Sequence, residues 1–178
     1  MIESLITSKT RIKILLKFFL NTKSRSYLRN LESEFGESSN AIRQELNKFE
    51  VAGLLKGEYV GNKKLFQANT NHPLFSDIHS ILLKHVGLDK IIDRVITDLG
   101  NVKKVYLAGK IARGLDSSVI DLILIGEEIN RTYLIELIEK VEKLISRKIR
   151  YLVFTEQEFR KYMETYTDIE PLLILQKD

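Results

Sequence analysis

Helical spacing of apolar residues dominates the chain up to about Gly87, and short strand-like runs alternate with helices after it. From Ser8 to Leu20 apolar residues fall at Ile12, Leu15, Leu16 and Phe19, one face of a helix. Asn21 to Ser24 reads as a loop. A second, shorter helix fits Tyr27 to Phe35, with Tyr27, Leu28, Leu31 and Phe35 inward and Gly36 as its C-terminal cap. Ser38 suits an N-cap, because its hydroxyl can accept a bond from a free amide of the next turn. The third helix then runs over 39–51, with Ala41, Ile42, Leu46 and Phe49 on its core face and Gly53 ending it. Two strands follow, 54–60 and 63–68, around Gly61-Asn62, the composition of a tight hairpin.

Residues 76–86 return to helical spacing, with Ile78, Ile81, Leu82 and Val86 on one face, and 88–99 reads as another helix. Past Gly87 the pattern alternates. Strands are expected at 104–108, 119–125 and 148–154, and a helix at 132–145. Thr155 with Glu158 is a capping box that opens a last helix to Glu164. Strand–helix alternation of this kind supports an α/β sheet.

Three helices and a hairpin, with a tight turn before the third helix, resemble a winged helix-turn-helix of the ArsR/MarR type. Arg11-Ile12-Lys13-Ile14-Leu15, Tyr27-Leu28-Arg29-Asn30-Leu31, Ala52-Gly53-Leu54-Leu55 and the stretch from Ala68 to Phe75 carry the resemblance. It implies that the third helix lies in the major groove of duplex DNA. The outward residues of that helix are Ser39, Asn40, Arg43, Gln44 and Asn47. Arg can bond bidentately to guanine, and Asn or Gln to adenine. Asn62, Lys63 and Lys64 at the wing tip, with Lys56 nearby, suit phosphates. Tyr27 and Arg29 lie near the start of the second helix and could also touch phosphate. A protein-interaction module with a solvated polar helix face is the rival reading.

Charge sharpens this picture. The net charge is +4, but residues 1–87 carry 13 Lys/Arg against 8 Asp/Glu and residues 88–178 carry 15 against 16. The basic excess lies in the first half, which points to an anionic partner there. The absence of cysteine excludes disulfides and thiolate metal sites and fits a cytoplasmic protein. No apolar run reaches the roughly 20 residues of a membrane span. Met1-Ile2-Glu3-Ser4 lacks a basic segment ahead of an apolar one, so no signal peptide is expected. His72, His79 and His85 have no acids at metal-ligand spacing and read as surface or packing residues.

The run from Leu107 to Gly126 resembles the signature of a minimal nucleotidyltransferase. That family has an apolar strand, Gly-Ser, a variable residue and Ala-Arg-Gly, then a loop and Ser-Asp-x-Asp entering a second strand. Gly109, Ala112, Arg113, Gly114, Ser118 and Asp121 stand at the family's positions. Lys110 stands where the family has Ser, and Val119 where it has the first metal-binding Asp. The loop 115–118 is also shorter. Such an enzyme needs two Mg²⁺ ions held by carboxylates, and Asp-x-Asp sends both to one face of its strand. The resemblance puts a third carboxylate on a strand that aligns with 148–154. That strand holds Lys148, Arg150 and Tyr151 and no acid. The expectation is therefore a degenerate domain with no catalytic residue, no metal and no cofactor.

Three readings of this half stay open: a structural or dimerising module, which is preferred; a pocket for a nucleotide or other anion at Gly109, Lys110, Arg113 and Asp121; and active transfer. Asp121 is expected to cap the loop or pair with Arg113 or Lys110.

These readings combine into an α+β protein. It has a winged helix-turn-helix over 1–75, a helical connector over 76–87 and a nucleotidyltransferase-like domain with a mixed sheet over 88–178. The function expected is a sequence-specific, DNA-binding transcriptional regulator in the cytoplasm. Its partners would be double-stranded DNA, a second copy of itself and a small anionic or nucleotide effector, with no membrane. Helix 76–86 is the candidate dimer helix.

Overall fold

The computed structural model describes residues 2–96, 99, 101–167 and 170–177. Helix and strand are mixed, and the chain forms two compact units. The first is Met1–His85 with Arg113–Asp116; the second is Val86–Ala112 with Ser117–Asp178.

In the first unit, α1 (Lys9–Leu15) starts at Ser8, whose hydroxyl accepts the Arg11 N–H at 3.2 Å. It runs on as a π-helical turn, Leu16–Leu20. That turn buries Leu16, Phe18, Phe19 and Leu20, so the helix enters the core with more than the one apolar face its spacing predicts. Each fully buried side chain of this kind contributes about 1.5–3 kcal/mol. A short strand, β1 (Arg25–Tyr27), precedes α2 (Leu28–Phe35). Tyr27 therefore belongs to a strand and is not the first residue of the helix. Of the four residues expected inward there, Leu31 and Phe35 are buried, whereas Tyr27 and Leu28 are half-buried. Gly36 caps α2 in the left-handed conformation at φ 62°.

Helix α3 (Ser39–Val51) opens on Ser38, which accepts the Ala41 N–H at 3.3 Å. It closes when Leu54 N–H bonds back to the Phe49 carbonyl at 2.9 Å. Ile42, Leu46 and Phe49 are buried as the periodicity predicts, and Glu45 is buried with them. Strands β2 (Leu55–Val60) and β3 (Lys63–Ala68) pair antiparallel, and β1 adds to β3, giving the order β1-β3-β2. Helix α4 (Phe75–Val86) buries Leu82 and Val86, but Ile81, expected on the same face, is 46% exposed.

The second unit begins with α5 (Leu88–Ile91), followed by a π-helical turn at Ile92–Ile96. The end of the expected 88–99 helix falls partly outside the described residues. Strand β4 (Val102–Ala108) leads to a single turn, α6 (Gly109–Ala112), and on to β5 (Val119–Gly126). Helix α7 (Arg131–Ile145) packs Leu134, Leu137, Ile138 and Val141 inward. Then come β6 (Lys148–Phe154), α8 (Glu156–Thr165) and β7 (Leu172–Gln176). The capping box at Thr155 and Glu158 is formed. The sheet order is β6-β5-β4-β7. Strand β5 runs parallel to β6, and β4 runs antiparallel to both β5 and β7, so the sheet is mixed, as expected. Strand β7 is an element the hydrophobic pattern left unassigned.

Candidate nucleic-acid interface

Burial of Ile42, Leu46 and Phe49 turns the opposite face of α3 to solvent. Asn40, Arg43, Gln44 and Asn47 are exposed there. Arg43 and Asn47, one turn apart, line a groove of about 480 Å³ inside the first unit. Its far wall is the hairpin, through Tyr59, Asn62, Lys63 and Lys64. Tyr27 enters from the end of β1 and Arg29 from the start of α2, and Leu46 and Phe66 also line it. The one carboxylate among the lining residues is Glu32, which accepts the Ser39 hydroxyl. Arg29, Arg43 and Lys63 are exposed and make no ion pair among the described residues.

The candidate residues thus divide. Arg43, Asn47, Asn62, Lys63 and Lys64 share one groove. Asn40, Gln44 and Lys56 are exposed but do not line it. Ser39 is half-buried, with its hydroxyl given to Glu32. Lys64 departs from the expectation of a solvated wing-tip cation. Its Nζ bonds Glu50 Oε2 at 2.6 Å and lies 5.5 Å from the Tyr59 ring centroid and 5.6 Å from that of Phe66. The bridge passes over Gly57, where an added Cβ would run into both Lys64 and Glu50. It ties the hairpin to the last turn of α3.

Two residues matter to this surface that helical spacing does not reveal. Glu45 lies among the core residues of α3 and receives Arg11 Nε at 2.8 Å and Lys48 Nζ at 3.2 Å. The Arg11 guanidinium holds the Glu45 carboxyl below its ordinary range, against burial that pushes it up, and Lys48 adds to the lowering. The pair fixes α3 against α1. Tyr59 is 72% exposed, and its register partner is Lys64. Strand alternation at Tyr59 and Lys64 was the available signal for it.

The second candidate surrounds Gly109. In the second unit Asp121 bonds Arg150 Nε at 2.7 Å, not Lys110 or Arg113 as expected. The cause is sheet register, which sets Asp121 directly beside Arg150 on β6. The Asp121 carboxylate also crowds Gly109, where a Cβ would clash with it. Gly109, Lys110 and Asp121 belong to the second unit, and Arg113 groups with the first. Val119 supplies no ligand, and a guanidinium occupies the one carboxylate. Among the described residues no cluster of three His, Asp or Glu could hold a metal ion. These residues do not fit a two-Mg²⁺ centre. His79 and His72 serve packing and turn roles: His79 Nδ1 lies 2.6 Å from the Phe19 carbonyl, and His72 Nδ1 accepts the Leu74 N–H at 3.1 Å.

No protein-family model matches the chain, and no curated protein does. Solved structures do. A crystal structure from Archaeoglobus fulgidus aligns at 18% identity over 46% of this chain and 93% of its own, with a TM-score of 0.38. The crystal structure of a "possible transcriptional regulator for arsenical resistance" aligns at 24% identity over 53% of this chain and 92% of its own, with a TM-score of 0.33. At these values both are likenesses only. Among the described residues no helix is long and apolar enough to cross a membrane.

Proposed function

We propose that the chain is a sequence-specific DNA-binding transcriptional regulator whose first unit is a winged helix-turn-helix. Helix α3 enters the major groove and the β2–β3 hairpin lies on the backbone. One observation carries this reading: Arg43 and Asn47 of α3 and Asn62 and Lys63 of the hairpin line a single groove, and Arg43 and Lys63 make no ion pair among the described residues. Arg43 and Asn47 are the base-reading pair, and Lys63 neutralises phosphate. Asn40, Gln44 and Lys56 flank them, while Ser39 and Lys64 act mainly within the protein. A DNA partner accords with a cytoplasmic location. A homodimer would supply paired half-sites, since one such unit offers few base contacts.

The second unit, in this proposal, is a nucleotidyltransferase-like domain without transfer chemistry, serving dimerisation or the sensing of a small anion. The Asp121–Arg150 pair supports the loss of chemistry. Incorporation of label from any nucleoside triphosphate, abolished by Asp121→Ala, would reverse that reading.

The test of the regulator is fluorescence anisotropy with the gene's own upstream duplex and a randomised duplex pool over a range of salt. Tighter binding to the upstream duplex, with a log–log salt slope of several units, is expected. Absence of binding to either at low salt would sink the reading and favour a protein-interaction module.

A further inference from the structure

We propose that the groove between α3 and the hairpin also binds single-stranded DNA by stacking an unpaired base on Tyr59. The proposal shares residues with the duplex reading but does not depend on it. Duplex DNA offers a protein its phosphates and the edges of its bases, while the base faces stay stacked on one another. A duplex can use a tyrosine hydroxyl on its phosphates, but it offers no unpaired base to the ring face. Tyr59 presents such a face: the ring stands on the hairpin 72% exposed. Lys64 Nζ, anchored by Glu50, lies 5.5 Å from the ring centroid and braces it. Tyr27 lines the same groove, and Leu46 and Phe66 give it apolar surface.

Charge and the ring together select the ligand. Arg29, Arg43 and Lys63 line the groove and make no ion pair among the described residues, so the apolar surface is ringed by cations that a neutral or basic peptide would leave uncompensated. An acidic peptide would meet the cations but bring no flat ring to Tyr59. A strand with one phosphate per base satisfies both features, because rings take bases and cations take the backbone. The volume of about 480 Å³ lies within the range of small-ligand sites, so the groove has room for a base with its sugar.

The experiment uses the full chain and a labelled oligothymidylate at low salt, beside a blunt duplex of the same length. Wild type should bind the oligothymidylate, and an abasic strand of equal charge should bind about tenfold more weakly. Tyr59→Ala should lose about tenfold on the oligothymidylate and little on the duplex, whereas Tyr59→Phe should keep both affinities. Circular dichroism confirms that each variant is folded. Equal binding of the abasic strand, or no oligothymidylate binding by folded wild type, overturns the proposal. Tighter binding of oligouridylate overturns the assignment to DNA. Failure on single strands with the duplex bound removes this inference alone. Binding of single strands with no duplex bound removes the regulator reading instead.

Discussion

Around α3 and the hairpin, Arg29, Arg43 and Lys63 stand in solvent with no carboxylate partner among the described residues, whereas on the four-stranded sheet Lys104, Lys148 and Arg150 each meet a carboxylate oxygen at 2.7 Å. Those cations of the sheet are neutralised where they stand, whereas these three of the groove keep their field available to an outside anion. A paired surface cation projects little charge beyond its partner, while a row of unpaired ones steers and holds polyanions. Counting Lys and Arg along the chain separates the two halves weakly. Locating their partners separates the groove from the sheet.

The comparison can be broken most severely from inside α3. Leu46→Ala removes a 1% exposed side chain from beneath the groove and should cost about 2–5 kcal/mol. Urea denaturation followed by hydrogen exchange should show the loss in residues 8–68, with amides of β4 and β5 protected as before. Next is Arg43→Ala. It should reduce the preference for the upstream duplex by about tenfold to a hundredfold, read as the ratio of its affinity to that of the random pool. An unchanged ratio would remove Arg43 from base reading.

A smaller effect belongs to Glu45. Its carboxyl is held low by Arg11, so its contribution is present above its unfolded value of about 4.3 and fades as pH falls through the lower folded value. Glu45→Gln should cost about 1 kcal/mol at neutral pH, since water still reaches Arg11. It should also flatten that part of the acid loss in urea midpoints. Glu142, lowered by Lys148 and the Ile149 amide, predicts the same sign for the second unit in Glu142→Gln. Lys63→Ala should lower the duplex salt slope by about one and weaken all sequences alike, whereas Lys64→Ala should change the slope less. The smallest effect expected is that of Arg150→Ala, with duplex affinity unchanged and melting barely moved. A large loss of duplex binding there would mean that the two regions are not separable in function.

The helices with a clean apolar stripe were legible from the sequence: α3 and its Ser38 cap, α7, and α8 with its capping box. So were the hairpin and the mixed sheet. Elements too short to show a period were not. Strand β1 has three residues, and its buried position is Ser26, which no hydrophobic pattern marks. Strand β7 announced itself only as the run Leu172-Leu173-Ile174-Leu175 after Pro171, which strand and helix share. Partners chosen by tertiary register were the hardest to see. Asp121 meets Arg150 because β6 lies parallel beside β5, and Lys64 meets Glu50 because Gly57 leaves space between them. Spacing along the chain contains neither fact. It therefore cast Lys64 as a phosphate contact and Asp121 as a partner of its own loop.

The bridge over Gly57 sets a rule for anyone retargeting this surface. Residues 39–51 cannot be exchanged as a free-standing reading head, because Glu50 travels with them and Lys64 stays behind. A grafted helix lacking an acid at that place would release the hairpin and alter its pitch relative to the helix, so altered selectivity would come mixed with altered geometry. Glu50, Gly57 and Lys64 form one inheritable cassette with the helix, and libraries built on this scaffold should hold all three fixed while varying Asn40, Arg43, Gln44 and Asn47.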